Sequence, residues 1–331
     1  MMEFPRPARG PLATLAAAAA MICACAPALA QQGAAWPAKT ITMMVGYPAG
    51  SGIELVTRVL ADQLKDRLGQ AVIIENRPGA IGNIAAQAVA RAAPDGYTAL
   101  YAPNSTSAAN IHLYKDIGFH PVRDFAPVTT IVSHPFFLAV NPKTPVSSVA
   151  ELTAFIKARP GKTQYGSGSA TGLVAAELYR AMAGLDTLHV PYKGMPQAYN
   201  DLFGGRLDFL YADTQLGFIH LNGGKIKALA VTSGRRFSLA PDIPTMAESG
   251  FPGFDLSAWH AVFLPAKAPR DIVVRLAQAS NAAMATEKSK EAMKGLYVEP
   301  LPGTPESLAR LVQTEMEKWG RIIKDAGIQP E

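Results

Sequence analysis

From residue 41 onward, short apolar runs alternate with longer stretches in which apolar residues recur every three or four positions. Residues 41–45 (ITMMV) have strand length and are almost wholly apolar, whereas Leu55, Val56, Val59, Leu60, Leu64 and Leu68 stand at helical spacing. Residues 71–75 read as a second strand, 82–92 as a helix, Pro94-Asp95-Gly96 as a turn and 97–102 as a third strand; Asn104 begins a small-residue opening to another helix. This βαβαβ order predicts parallel strands joined by right-handed crossovers.

The regularity breaks at residues 128–140, where two strands, 128–132 and 136–140, are separated only by His134-Pro135. A second series follows: helix 147–157, strand 163–165, helix 171–182, strand 188–190, helix 197–203, strand 207–211, a short helix ending near Leu221, and strand 226–231. Two βα series joined strand to strand predict two α/β lobes. A strand at 257–264 and helices at 271–285 and 305–326 close the chain; their return to the first lobe would leave a cleft between the lobes. The expected division is lobe 1 from residues 40–134 and 257–331, and lobe 2 from 135–256.

Ligands in such sheets sit beyond the carboxyl ends of the strands. There the first strand leads into Tyr47-Pro48-Ala49-Gly50-Ser51-Gly52-Ile53-Glu54. Ser51 and Glu54 have capping-box spacing, so Ser51 is the expected N-cap and Gly52 to Glu54 the first turn. Free N–H groups and the positive end of a helix dipole favour an anion there, although a tight turn that needs glycine explains the same residues. Pro103-Asn104-Ser105-Thr106-Ser107 and Gly166-Ser167-Gly168-Ser169-Ala170-Thr171-Gly172 are two more small, hydroxyl-rich strand-to-helix loops. Each alone reads as a helix cap; together they favour a binding cleft.

Residues 1–30 differ from the rest. Arg6 and Arg9 precede a short Ala-rich apolar run, and Ala28-Leu29-Ala30 forms an A-x-A site, the signature of a secretory leader cleaved after Ala30. An uncleaved anchor is disfavoured by Pro11 and Pro27, which bound a run too short to span comfortably. Residues 31–39 read as a linker. Both cysteines, Cys23 and Cys25, fall in the leader, and Ile22-Cys23 suits a lipid-anchoring site at Cys25 poorly. The mature chain is expected to be periplasmic and to rely on its core without disulfides. At 331 residues it has room for that core, and its net charge of +5, or +4 without the leader, is scattered and too small for nucleic acid.

Catalytic signatures are missing. There is no G-x-S-x-G, no P-loop and no mature cysteine, and the six histidines show no metal-ligand spacing. The glycine-serine loop at 166–172 misses a dinucleotide fingerprint because its third glycine falls one place late. No cofactor and no metal are expected.

Several motifs fall in an order that resembles a known family: Tyr47-Pro-Ala-Gly-Ser-Gly, Glu75-Asn-Arg-Pro-Gly-Ala80, Ala93-Pro-Asp-Gly-Tyr97, Asp124-Phe-Ala-Pro127, His189-Val-Pro-Tyr-Lys-Gly194 and Pro241-Asp-Ile-Pro-Thr245. They resemble the Bug family, the solute-binding receptors of tripartite tricarboxylate transporters, over essentially the whole mature chain. The resemblance implies a two-lobed periplasmic-binding-protein fold of type II, a monomer closing on a small di-, tri- or aromatic carboxylate and handing it to membrane permease subunits. It assigns ligand contacts to Tyr47, Ala49, Gly50, Ser51, Gly52 and Ile53, to Ser105 and Thr106, and to Ser167, Ser169, Ala170 and Thr171. Asp213 is a further cleft-edge position, equally readable as a helix cap. Two departures stand out. Ile53 and Glu54 replace the Thr-Asp common in the first loop, which favours a ligand with an apolar body; Glu54 either completes the capping box or reaches a ligand amine. Ile81 replaces a glycine in a loop read as structural, where Arg77 can pair with Glu75 or Asp95. Signalling to a sensor kinase, or a secreted hydrolase using Asp213 or His189, are the alternatives.

Overall fold

The computed structural model describes residues 1–5 and 36–330. Residues 6–35, which hold most of the expected leader, its cleavage point, both cysteines and much of the linker, lie outside the described residues.

Strands β1 (Ile41–Val45), β2 (Val72–Asn76) and β3 (Thr98–Pro103) pair in parallel with β1 in the middle. Helices α1 (Gly52–Leu68) and α2 (Asn83–Ala90) form the crossovers, as the alternation predicts. α1 buries Ile53, Val56, Leu60, Leu64 and Leu68 along one stripe and ends at Gly69, whose left-handed φ of 67° returns its N–H to Lys65 O. The helix expected from Asn104 begins instead as a wide π turn, Ser105–Ala109, before the short α3 (Asn110–Leu113).

The strands expected at 128–132 and 136–140 are one. β4 (Phe125–Val140) runs for 16 residues through His134 and Pro135, because proline keeps the backbone extended and removes only one donor. The second series gives α4 (Val149–Lys157), β5 (Thr163–Ser167), α5 (Ala170–Ala183), β6 (Thr187–Pro191), α6 (Met195–Phe203), β7 (Phe209–Asp213), α7 (Thr214–Asn222) and β8 (Lys227–Val231). After a long connection come β9 (Ser257–Pro265), α8 (Arg270–Met284), α9 (Glu287–Gly295), the two-residue β10 (Glu299–Pro300) and α10 (Pro305–Asp325). α9 is so polar that only Ser289 and Met293 are buried, which is why periodicity does not predict it.

The sheet path is β2-β1-β3-β9-β4-β7-β5-β6, with β8 and β10 also paired to β4. Up to Pro135, β4 pairs antiparallel with β9; from Phe136 onward it pairs with β7 and β8. Two lobes therefore meet on one strand, and the chain crosses between them at His134–Phe136 and again between β8 and β9. Thr232 ties the crossings together. Its N–H donates to Phe136 O and its Oγ1 accepts from Phe136 N, both at 2.9 Å, while Leu256 N donates to Thr232 O and Thr232 Oγ1 donates to Leu256 O. α10 packs Leu308, Val312, Trp319 and Ile323 inward, and its buried Glu315 accepts from the indoles of Trp319 (2.9 Å) and Trp259 (3.3 Å).

Candidate functional site

Where β1 ends, Gly50 takes a left-handed φ of 77° and the chain enters α1. Ser51 is the N-cap with an extended backbone, yet its side chain makes no capping bond. Neither half of the expected box forms: Ser51 N–H donates to Pro48 O at 3.2 Å, and Glu54 Oε2 reaches one residue further back to accept from Gly50 N–H, also at 3.2 Å, while Arg58 engages the same buried carboxylate. Glu54 is thus held on its own helix and is not free for a ligand amine. Ser51 Oγ is left buried without a hydrogen-bond partner. A buried hydroxyl in that state is costly unless something fills the place beside it.

Beside Ser51 lies a cavity of about 450 Å³ of atom-free space, partly open to solvent. Of the residues expected at the ligand, Tyr47, Ser51, Gly52, Ile53, Ser105, Ser169, Thr171 and Asp213 line it. Ala49 and Gly50 are exposed on the outer face of the loop, and Ala170 is buried within α5; none of the three is in the lining. Ser167 bonds His189 Nε2 at 2.7 Å and faces a separate cavity. Thr106 also lies outside the lining and braces a strained turn: its hydroxyl and Asn110 Nδ2 donate to Ile81 O at 3.2 and 2.9 Å. Ile81 has φ 49°, left-handed geometry that a β-branched residue rarely adopts and a glycine accepts without strain.

The second lobe contributes residues that the sequence reading missed. Gln215 is 1% exposed, lines the cavity, and has an unpartnered Nε2. It stands two residues past Asp213 in no recognisable motif, and only helix phase could have placed it on the cleft side. Asp213 Oδ1 caps α7 by accepting from Leu216 N at 3.0 Å, so its cap role and its place in the cavity coexist. Burial pushes its carboxyl up to about 6. The lobes touch here: a β-carbon on Gly52 would lie 2.7 Å from Asp213 Oδ1 and from Gln215 Cβ, and one on Gly194 would lie 3.0 Å from Pro48 Cδ.

The inner end of the cavity holds His134 and His260, each single in sequence and brought together by the β4–β9 pairing. Their Nε2 atoms are 3.3 Å apart, and His134 Nδ1 is 3.0 Å from Pro135 O. A carbonyl can only accept, so His134 carries its proton on Nδ1 and its Nε2 accepts from His260 Nε2–H; His260 Nδ1 then accepts from the Tyr101 hydroxyl at 3.4 Å. Burial lowers His134 to about 4 and His260 well below its ordinary value, so both rings are neutral. They are hydrogen-bonded to one another, with no nucleophile between them. Among the described residues no Lys or Arg lines the cavity, and Ile53, Phe136, Met195 and Ala258 give it apolar walls. Among the described residues no group of three His, Cys, Asp or Glu side chains could hold a metal ion.

Two lobes joined by two strand crossings, with a cavity at the strand ends, are the layout of a solute-binding protein, and comparisons with known proteins identify the family. The structure resembles the R. palustris protein Rpa4515, solved with adipate, at 33% identity and a TM-score of 0.87, covering 89% of this chain and all of that one. It also resembles MatC from Rhodopseudomonas palustris with bound malate, at 28% identity and a TM-score of 0.83 over 87% of this chain and all of that one. Protein BugT of Bordetella pertussis is 34% identical over 296 residues, 88% of this chain and 90% of its own length. Residues 56–328 match the model of the tripartite tricarboxylate transporter family receptor. The chain belongs to that family, the Bug receptors, whose members bind solutes and are not enzymes.

Proposed function

We propose that this receptor captures a small carboxylate in the periplasm by closing its lobes, 40–134 with 257–331 against 135–256, and delivers it as a monomer to membrane permease subunits. One observation carries the reading: Ser51 Oγ and Gln215 Nε2 are buried donors without partners, one from each lobe, on a cavity at the N-terminus of α1. Such donors, with the free N–H groups of a helix end, satisfy a carboxylate without a cation. Because they lie on opposite lobes, the ligand is held only when the lobes are together, and it shifts the population toward closure. The adipate and malate bound by structural neighbours support the ligand class. Export with cleavage after Ala30 follows from the leader pattern and fits a periplasmic family.

The test is a thermal-shift screen of the mature chain against mono-, di- and tricarboxylates, aliphatic and aromatic, since a ligand that binds only the native state raises its melting temperature. Stabilisation by carboxylates but not by neutral sugars is expected. Stabilisation by sugars alone would refute the ligand class.

A further inference from the structure

Two acidic groups compete for one helix end. Asp213 Oδ1 stands 2.7 Å from where a β-carbon on Gly52 would lie, so the buried Asp213 side chain faces the same first turn of α1 that the proposed function assigns to the ligand's carboxylate. Among the described residues nothing cationic separates them: the lining holds no Lys or Arg; His134 and His260 are neutral and bonded to each other; the Tyr47 hydroxyl is with Ser105, and the Tyr199 hydroxyl behind donates to the Asp213 backbone oxygen. A plain carboxylate entering here would bring a second negative charge against the first. Burial raises the Asp213 carboxyl to about 6, and the bond from Leu216 N shows its oxygen already placed as an acceptor.

We propose that the ligand carries a hydrogen-bond donor, hydroxyl or ammonium, on the carbon next to its anchored carboxylate, and that Asp213 selects for this donor. Gln215, with its side-chain oxygen 2.8 Å from the same Gly52 position, brings its free Nε2 to the carboxylate, and Ser51 completes the anchor. The walls of Ile53, Phe136, Met195 and Ala258 take an apolar remainder. The class is therefore a 2-hydroxy or 2-amino carboxylate, in preference to the acid that lacks the donor. The sequence reading, which left Asp213 between cap and contact, gains a reason for both roles: the cap bond to Leu216 fixes the carboxylate in place. This inference rests on the carboxylate reading.

The experiment is calorimetric titration of the mature chain at pH 7.5 with two matched sets: 2-hydroxy-4-methylpentanoate, leucine and 4-methylpentanoate, and malate, aspartate and succinate. In at least one set the hydroxy or amino member should bind tenfold or more tightly than the plain acid. Asp213→Asn, which keeps the capping oxygen, should cut that ratio at least fivefold, most where the donor is ammonium. Equal binding of the plain acid, or an unaltered ratio in Asp213→Asn, overturns the inference while leaving the carboxylate reading intact. Repeating the titrations in buffers of different ionisation enthalpy gives a second readout: uptake of a proton with the tight ligand would make Asp213 a donor and overturn the assignment. If none of these acids nor any other carboxylate binds, the carboxylate reading itself falls.

Discussion

Replacing Gly52 with alanine tests whether that position serves lobe closure. The backbone of Gly52 is not left-handed, and it lies in the first turn of α1, so alanine suits the local conformation and the helix. In this structure the new methyl would sit 2.7 Å from Asp213 Oδ1 and Gln215 Cβ and 2.8 Å from Gln215 Oε1, distances that force a shift. Overpacking of this kind costs about 1–3 kcal/mol. The contacts lie across the cleft, so the cost falls on the closed state alone and should appear as roughly 5- to 150-fold weaker binding. Calorimetry measures the affinity, a melting curve the ligand-free stability, and small-angle scattering the fraction closed at saturation. Weaker binding with an unchanged ligand-free melting temperature is expected. Unaltered affinity, or a drop in ligand-free stability that accounts for the whole loss, would refute the assignment of this glycine to closure.

Other consequences can be checked alongside. Thr232→Val removes the hydroxyl that links Phe136 N to Leu256 O in the buried core, and should lower stability by ~2 kcal/mol, read as an earlier urea midpoint; an unchanged midpoint would mean the crossings are held otherwise. Ile53→Thr should move relative affinity from apolar-bodied toward polar carboxylates, and the same rank order and ratios before and after would show that Ile53 does not tune the site. The pH profile follows from opposed shifts. His134, at about 4 in the fold against 6.5 unfolded, gives stability present above pH 6.5 and lost as pH falls toward 4, because the unfolded chain takes up the proton first. Asp213, at about 6 against 3.8, gives stability present below pH 3.8 and lost as pH rises through 6. Each is of order ~3 kcal/mol, so they offset between pH 4 and 6. Asp213→Asn should therefore lose melting temperature more steeply than the parent as pH falls from 6 to 4; parallel curves would contradict the buried, raised carboxyl.

How much of this was legible in the sequence depends on the range of the contact concerned. Local signals worked: the apolar stripe of α1 and the alternation that gives β1, β2 and β3 in parallel need only neighbours a few residues apart. Pro135 misled, because a proline reads as a break unless the partner strand that carries the chain through it is known. The capping-box spacing places the N-cap at Ser51 correctly but not the box: Glu54 turns to Gly50 N–H and Arg58, and Ser51 Oγ is left without a partner beside the cavity, neither of which the spacing encodes. His134 and His260 are 126 residues apart and meaningless singly; only the β4–β9 register makes them a pair. Gln215 has the same difficulty, for its importance lies in what it lacks, a partner. Ile81 is visible as a departure, and the structure gives it a physical meaning: a left-handed position filled by a β-branched residue in a turn flanked by Gly79 and Gly82, held through its carbonyl by Asn110 and Thr106.

The passage of β4 through Pro135 bears on how such a molecule can bend. A strand shared by both lobes would ordinarily resist flexing, since each bend would pull on a rung of the ladder. At Pro135, opposite Ser257, the rung has no N–H to pull on. The strand is scored there like card before folding: the closure proposed above would crease it along that line without rupturing a bond of that rung, the rungs on either side holding the two halves in register.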